Sequence, residues 1–214
     1  TIALTVNGRR VAAPEGSTIL EAARSAGVEI PTLCHHPDLR PVGTCGLCVV
    51  EIEGMDEPPV SCTTPAVDGM VVKTKTPRID KMRHEAMAVL LADHPQECLD
   101  CSQYLNCELQ SVKQFLGITE ESSEKKQPKP IPVNTGNPLF VHDFILCIKC
   151  GRCIRACNEL RGVEVLQFIE EGDEKRVGIT DDKSLAEAGC RFCGACVAVC
   201  PTGAMRDKEE LMEG

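Results

Sequence analysis

Apolar Ile2, Leu4 and Val6 alternate with Ala3 and Thr5, the period of two that predicts a strand with one buried face. Asn7-Gly8 follows, a pair that tolerates positive φ in a two-residue hairpin turn, and leads into a second strand beginning Arg9-Arg10-Val11. The period then lengthens. Thr18 with Glu21 three residues on is a capping box, Ile19, Leu20, Ala22, Ala23 and Ala26 share a helical face, and Gly27 stands where a helix ends. Residues 47–52 and Val71-Val72 predict further strands, with Pro58-Pro59 and Asp68-Gly69 as breaks. A helical period runs through Met82, Met87, Val89, Leu90 and Leu91 as far as Asp93, and Pro95 stops it. Residues 140–146 predict a strand. Residues 163–168 and 176–179 alternate across Glu171-Gly172-Asp173 as a hairpin, and short helices are expected after Cys153 and Cys196. The pattern is that of an α+β chain in three modules, residues 1–77, a helical 78–117, and 139–214. Residues 118–138, rich in Glu, Ser, Lys and Pro from Glu120 to Pro132, form the linker.

Composition changes this picture in one respect. Only 3% of the 214 residues are aromatic, with one Tyr and no Trp, so the cores are thin and something else must stiffen them. Fifteen cysteines are the candidates; their odd count and their spacings suit metal clusters better than disulfides. A net charge of −9 argues against a nucleic-acid surface, and Lys125-Lys126 is linker charge. The start at Thr1-Ile2-Ala3 carries no signal-peptide pattern and no apolar run reaches membrane-spanning length, so a cytoplasmic protein is expected.

Cys147, Cys150, Cys153 and Cys157 are spaced C-x2-C-x2-C-x3-C, and so are Cys190, Cys193, Cys196 and Cys200, the last followed by Pro201. This is the bacterial ferredoxin spacing for two [4Fe–4S] cubes, in which the fourth cysteine of each run ligates the other cube. Three thiolates of a tight loop reach one cube, while a fourth placed one helical turn on points away. One set is therefore Cys147, Cys150, Cys153 and Cys200, and the other Cys190, Cys193, Cys196 and Cys157. Gly151, Gly194 and Ala195 let backbone N–H groups approach the sulfides. Asn158 stands where the first run would carry Pro, a departure that costs loop rigidity but no ligand. Zinc is the bland alternative, but it favours paired C-x2-C knuckles.

Cys34, Cys45, Cys48 and Cys62 are spaced C-x10-C-x2-C-x13-C, a wider first gap than the plant-type [2Fe–2S] pattern, with Gly43 and Gly46 flanking the central pair. Four-thiolate zinc is the alternative here too. His35 and His36 invite a Rieske reading, but four cysteines already complete a set, and the two histidines are expected to be solvated. Ile30-Pro31-Thr32-Leu33-Cys34-His35 and Gly43-Thr44-Cys45-Gly46-Leu47-Cys48 resemble the N-terminal β-grasp domain of the large peripheral iron–sulfur subunit of respiratory complex I. They are equally similar to [FeFe]-hydrogenases and NAD-linked formate dehydrogenases. The resemblance implies a β-grasp fold for residues 1–77 and one [2Fe–2S] cluster.

Three cysteines remain, Cys98, Cys101 and Cys107, and His94 precedes them in the spacing H-x3-C-x2-C-x5-C. Four clusters of four ligands need the fifteen cysteines and one histidine; His36, His84 and His142 lack the register. The run, followed by Glu108-Leu109-Gln110, resembles the His-ligated [4Fe–4S] site of the same families. Zinc held by three thiolates and an imidazole is the alternative.

No G-x-G-x-x-G or Walker sequence occurs, so no flavin or nucleotide site and no catalytic residue is expected. The sequence runs 14 residues past Cys200, short of the catalytic domains of [FeFe]-hydrogenases and formate dehydrogenases. The resemblance, shared by the small subunit of NAD-reducing [NiFe]-hydrogenases, implies an electron relay with one [2Fe–2S] and three [4Fe–4S] clusters. Its expected partners are a flavin- and NAD(H)-binding iron–sulfur subunit and the catalytic subunit of a hydrogenase, including the electron-bifurcating kind, or of a formate dehydrogenase; soluble ferredoxin is a further one. A free-standing polyferredoxin and an N-terminal fragment of a larger hydrogenase or dehydrogenase are the other readings.

Overall fold

A computed structural model describes residues 1–95, 98–119, 139–171, 174–179 and 183–208. Most of the expected linker and the Gly172-Asp173 turn lie outside the described residues. The chain divides into two compact units. The first holds Thr1–His35, Pro41–Leu90 and the segment from Val112; the second holds His36–Arg40, Leu91–Ser111 and the chain from Leu139.

In the first unit, strands β1 (Ile2–Val6) and β2 (Arg9–Ala13) pair antiparallel in register Leu4↔Val11. Asn7 at φ 50° and Gly8 at φ 80° turn the chain between them, as that dipeptide predicts. Helix α1 (Ile19–Ser25) opens on the expected box, the Glu21 amide donating to Thr18 Oγ1 and the Thr18 amide to the Glu21 carboxylate. It closes on Gly27, whose amide donates to the Arg24 carbonyl while Val28 donates to Ala23, a Schellman arrangement. Strands β3 (Glu51–Ile52) and β4 (Val71–Lys73) complete a sheet of order β2-β1-β4-β3, with β1 and β4 parallel and β3 and β4 antiparallel. Leu4, Val6, Val50 and Val72 pack on Ile19, Leu20 and Ala23 to form the core. Only the end of the predicted 47–52 strand is extended in this sheet. Residues 47–50 instead form the loop around Cys48, and Val49 makes a single bridge to Val60. Helix α2 (Pro77–Leu91) begins at Thr76, whose Oγ1 accepts the Ile79 amide, with Pro77 in the first position, where no N–H is required.

Helix α3 (Glu108–Phe115) follows Cys107. In the second unit, β5 (Phe140–His142) pairs antiparallel with β8 (Met205–Asp207), and β6 (Gln167–Glu171) with β7 (Glu174–Gly178). The predicted strand 140–146 is cut short because Asp143 caps a 3-10 turn, Phe144–Leu146, accepting the Ile145 amide at 3.2 Å. Likewise only residues 167–168 of the predicted 163–168 strand join the hairpin. Short helices α4 (Arg152–Arg155) and α5 (Ala195–Ala198) arise inside the two cysteine runs, and α4 continues into a π turn, Ala156–Leu160. The core between them gathers Phe140, Cys153, Leu166, Val177 and Met205. Among the described residues no helix is long and apolar enough to cross a membrane.

Candidate metal centres

The two cysteine runs take the same backbone path. Lys149 and Gly151 have φ 57° and 71°, and the corresponding Phe192 and Gly194 have φ 50° and 70°. A left-handed conformation costs a side chain about 1–2 kcal/mol, so a lysine and a phenylalanine held there mark a loop wound around something. The winding turns amides toward sulfur. Each amide two residues beyond Cys147, Cys150, Cys190 and Cys193 faces that thiol, Phe192 N–H at 3.4 Å from Cys190 Sγ. The Gln103 amide does the same to Cys101 Sγ at 3.5 Å.

The fourth cysteine of each run crosses to the other. Cys147, Cys150, Cys153 and Cys200 line one small cavity, whose wall includes Ile148, Pro201 and Val177. Cys157, Cys190, Cys193 and Cys196 line a second, with Val163, Val165 and Leu185. Burial pushes the Cys150 and Cys196 thiols up to about 12, with the neighbouring thiols adding to it. Cys147 and Cys153 are raised for the same first reason. Cys193 is exposed and shifted down, chiefly by the Ala195 amide and also by Arg161. Asn158 does not leave its loop loose: with its amide nitrogen turned inward it donates to the Val163 and Ile154 carbonyls at 3.1 and 3.2 Å, tying the turn together as Pro would have stiffened it.

His94 and Cys98, Cys101 and Cys107 all belong to the second unit. The His94 ring is 8% exposed, and Nδ1 lies 2.8 Å from the Pro95 carbonyl. A proton on Nδ1 satisfies that contact and leaves the lone pair of the neutral ring on Nε2, the tautomer a metal ligand needs. Cys107 sits at the N-terminus of α3, where the Gln110 and Leu109 amides reach its sulfur and oppose the upward push of burial. Two contacts fasten this segment to the Cys200 loop. The Glu108 amide donates to the Pro201 carbonyl at 2.8 Å, and the Gln103 side chain fills the space that a side chain at Gly203 would need. Glu108 also receives both Nη groups of Arg152, at 2.6 and 2.8 Å.

In the first unit Cys34, Cys45, Cys48 and Cys62 are all buried and in mutual contact. Hydrogen-bonding contact with Cys45 and Cys62 holds Cys34 far below the ordinary thiol range, and contact with Cys62 lowers Cys48 to about 7. Cys45 and Cys62 are pushed up by the same contacts. Gly43 at φ 68° lies against Val60, and Gly46 at φ 67° against Ala86. His35 is buried, contrary to the expectation of a solvated ring, because Arg24 Nη1 approaches its Nδ1 at 3.3 Å while Nη2 donates to Thr32. His36, partly exposed, accepts the Asp38 amide.

These donor sets suit iron–sulfur cages. Burial keeps Cys147, Cys150, Cys153 and Cys196 protonated on their own, whereas a bound metal would deprotonate them and the nearby amides would stabilise the sulfur charge.

Sequence reasoning missed two cations, Arg83 and Arg152, each 2% exposed. Arg83 had a legible signal, since it falls between Ile79 and Met87 at spacings of four on the face of α2 that is wholly buried.

Comparison with known proteins matches these segments one by one. Residues 1–77 fit the 2Fe-2S iron-sulfur cluster binding domain, 83–122 the NADH-ubiquinone oxidoreductase-G iron-sulfur binding region, and 146–204 the 4Fe-4S dicluster domain. The chain is 36% identical to the NADP-reducing hydrogenase subunit HndD of Solidesulfovibrio fructosivorans, over 99% of this chain and 37% of that one. Identity to the G subunit of NADH-quinone oxidoreductase from Streptomyces coelicolor is 35%, over 95% of this chain and 24% of the relative. The NADPH-Fe(3+) oxidoreductase subunit alpha of Geobacter sulfurreducens is 34% identical over 100% and 25%. The chain thus spans between a quarter and somewhat over a third of the length of these relatives. Among solved structures, an NAD+-reducing [NiFe]-hydrogenase chain superposes with a TM-score of 0.84 at 29% identity, over 97% of this chain and 88% of that one. Over residues 1–77, 83–122 and 146–204 the chain is thus similar to the iron–sulfur regions of the NADH-ubiquinone oxidoreductase G subunit and its hydrogenase counterparts.

Proposed function

We propose that this chain is an electron relay that holds one [2Fe–2S] and three [4Fe–4S] clusters and has no reaction centre of its own. Cys34, Cys45, Cys48 and Cys62 would hold the two-iron cluster. His94, Cys98, Cys101 and Cys107 would hold one cube; Cys147, Cys150, Cys153 and Cys200 a second; Cys190, Cys193, Cys196 and Cys157 the third. The observation that carries this reading is the crossing of Cys200 and Cys157 into opposite cavities, the arrangement expected of a two-cube ferredoxin. The division into a β-grasp module (1–77), a His-ligated module (78–117), a linker (118–138) and a two-cube module (139–214) is part of the same proposal. The mixed four-stranded sheet with α1 packed on it supports the β-grasp assignment.

Bound clusters would take up and give back single electrons. The chain's own residues do the rest: amides two residues past a cysteine stabilise sulfur charge, apolar walls exclude water, and the Nδ1 contact of His94 orients its ring. The relay would join a flavin- and NAD(H)-binding iron–sulfur subunit to the catalytic subunit of a hydrogenase or, next, a formate dehydrogenase, in the cytoplasm, where thiols stay reduced. The names of the relatives support the hydrogenase assignment.

Anaerobic purification followed by iron and acid-labile sulfide analysis tests the ligand sets. The reading requires about 14 of each per chain, two for the flat cluster and four for each cube. Zinc, or iron far below that, defeats it. Native purification tests the partners: a co-eluting flavoprotein supports the relay, and a lone monomer that is reduced by a ferredoxin-dependent enzyme supports a diffusing polyferredoxin.

A further inference from the structure

Arg83 is 2% exposed, yet it carries a full charge into the first unit. Its Nε donates to the Leu47 carbonyl and its Nη2 to the Val49 carbonyl, both at 2.9 Å, so the guanidinium grips the backbone on either side of Cys48. Those acceptors are neutral. They accept two of its N–H groups without compensating its charge, and among the described residues no carboxylate forms an ion pair with it. Asp80, one turn earlier on α2, and Cys48 are the anionic groups that act on it at longer range, and burial outweighs both. A buried cation without an ion-paired counter-charge is costly and is not retained in a fold without further compensation.

The compensation lies beside it. Four cysteine thiolates and two sulfides outweigh the positive charge of two ferric irons, so a cluster held by Cys34, Cys45, Cys48 and Cys62 is anionic. Adding an electron makes it more so, with no proton taken up. We infer that Arg83 is the buried counter-charge of this cluster and the positioning residue that raises its reduction potential. The inference rests on the reading of those four cysteines as ligands. A fixed cation favours the reduced, more negative state over the oxidised one, and its fork onto Leu47 and Val49 holds it at constant distance while the charge changes.

The test is a mediated redox titration of the full chain, read by the EPR signal of the reduced two-iron cluster, for wild type, Arg83→Gln, Arg83→Met and Arg83→Lys. At a fixed solution potential the reduced-to-oxidised ratio should fall about tenfold in Arg83→Gln and Arg83→Met, about 59 mV for one electron. Arg83→Lys, which keeps the charge and gives up the fork, should stay within about twofold of wild type, that is within about 18 mV. Equal midpoints in wild type, Arg83→Gln and Arg83→Met overturn the inference, as does a tenfold fall in Arg83→Lys. Loss of the signal from Arg83→Gln and Arg83→Met with retention in Arg83→Lys supports it, because only the charge is shared. Loss from all three overturns it in favour of a steric role. A wild-type chain that binds iron elsewhere but shows no two-iron signal defeats the ligand assignment rather than the role of Arg83.

Discussion

The Arg152–Glu108 pair offers the sharpest test of how the segment after Cys107 is fastened. Arg152 Nη1 and Nη2 meet Oε1 and Oε2 of Glu108 at 2.6 and 2.8 Å, a bidentate fork, and Nη1 also lies 3.4 Å from the Val199 carbonyl. The two ends differ: the Arg152 side chain is 3% exposed and that of Glu108 52%. A fully exposed pair contributes about 0–1 kcal/mol, while removing one partner of a fully buried pair costs about 3–5 kcal/mol. Glu108→Gln keeps the shape, turns one acceptor into a donor against a donor and leaves the buried guanidinium with one neutral oxygen. Water can reach the Glu108 side, so the expected cost lies between the limits, about 2 kcal/mol. The Glu108 amide donates to Pro201, so this cost appears as local opening there. Hydrogen exchange at residue 108 in the cluster-loaded chain should speed about thirtyfold. Glu85→Gln, which breaks the exposed 3.9 Å pair with Lys81, should change exchange in α2 by less than about threefold. The Glu108→Gln/Arg152→Met double variant should recover much of the loss, because it no longer buries an uncompensated charge. Exchange at residue 108 that moves less than threefold in Glu108→Gln, or a double variant worse than either single one, refutes this account.

Other perturbations carry equally definite signs. His94→Cys should keep its cube and lower its potential, because a thiolate adds a negative charge, whereas His94→Ala should lose one cube's iron; an Ala variant with all wild-type EPR signals removes His94 from the ligand set. Gly43→Ala combines a left-handed φ of 68° with a Cβ placed 2.9 Å from Val60 Cγ2, and should cost about 2 kcal/mol in urea melts followed by two-iron absorbance. Adding Val60→Ala should restore only the steric part, so full recovery would show that the backbone carries no strain. Burial, with Arg176 adding to it, lowers His142 from 6.5 to about 4. The neutral ring is therefore the folded form, and its stabilisation is complete above pH 6.5 and lost as the unfolded chain takes up its proton first between pH 6.5 and 4. The stability of wild type relative to His142→Phe should fall by about 3 kcal/mol across that window, and a pH-independent difference would contradict the burial argument.

What could be read from residue order was what is settled locally. Thr18 and Glu21, Asn7-Gly8 and Gly27 each act within one turn of chain, and the fold holds all three as expected. The cysteine spacings belong to the same class, because a thiol and the amide two residues beyond it are joined by a single loop. Alternation misled where the chain bends around sulfur. Residues 47–50 have a strand's composition, but Gly46 at φ 67° and the Arg83 fork onto Leu47 and Val49 hold them in a loop. Of the three buried arginines, the two deepest, Arg83 and Arg152, are each held inside by polar partners. In a chain with 3% aromatics, the apolar material in the interior is supplemented by sulfur, and sulfur bound to iron would be anionic. An interior of that kind would draw in cations, which a hydrophobic periodicity scores as surface. Ile79 and Met87 stand at core positions because they avoid water, whereas Arg83 stands there because the Leu47 and Val49 carbonyls accept from it, and Arg152 because the Glu108 carboxylate pairs with it.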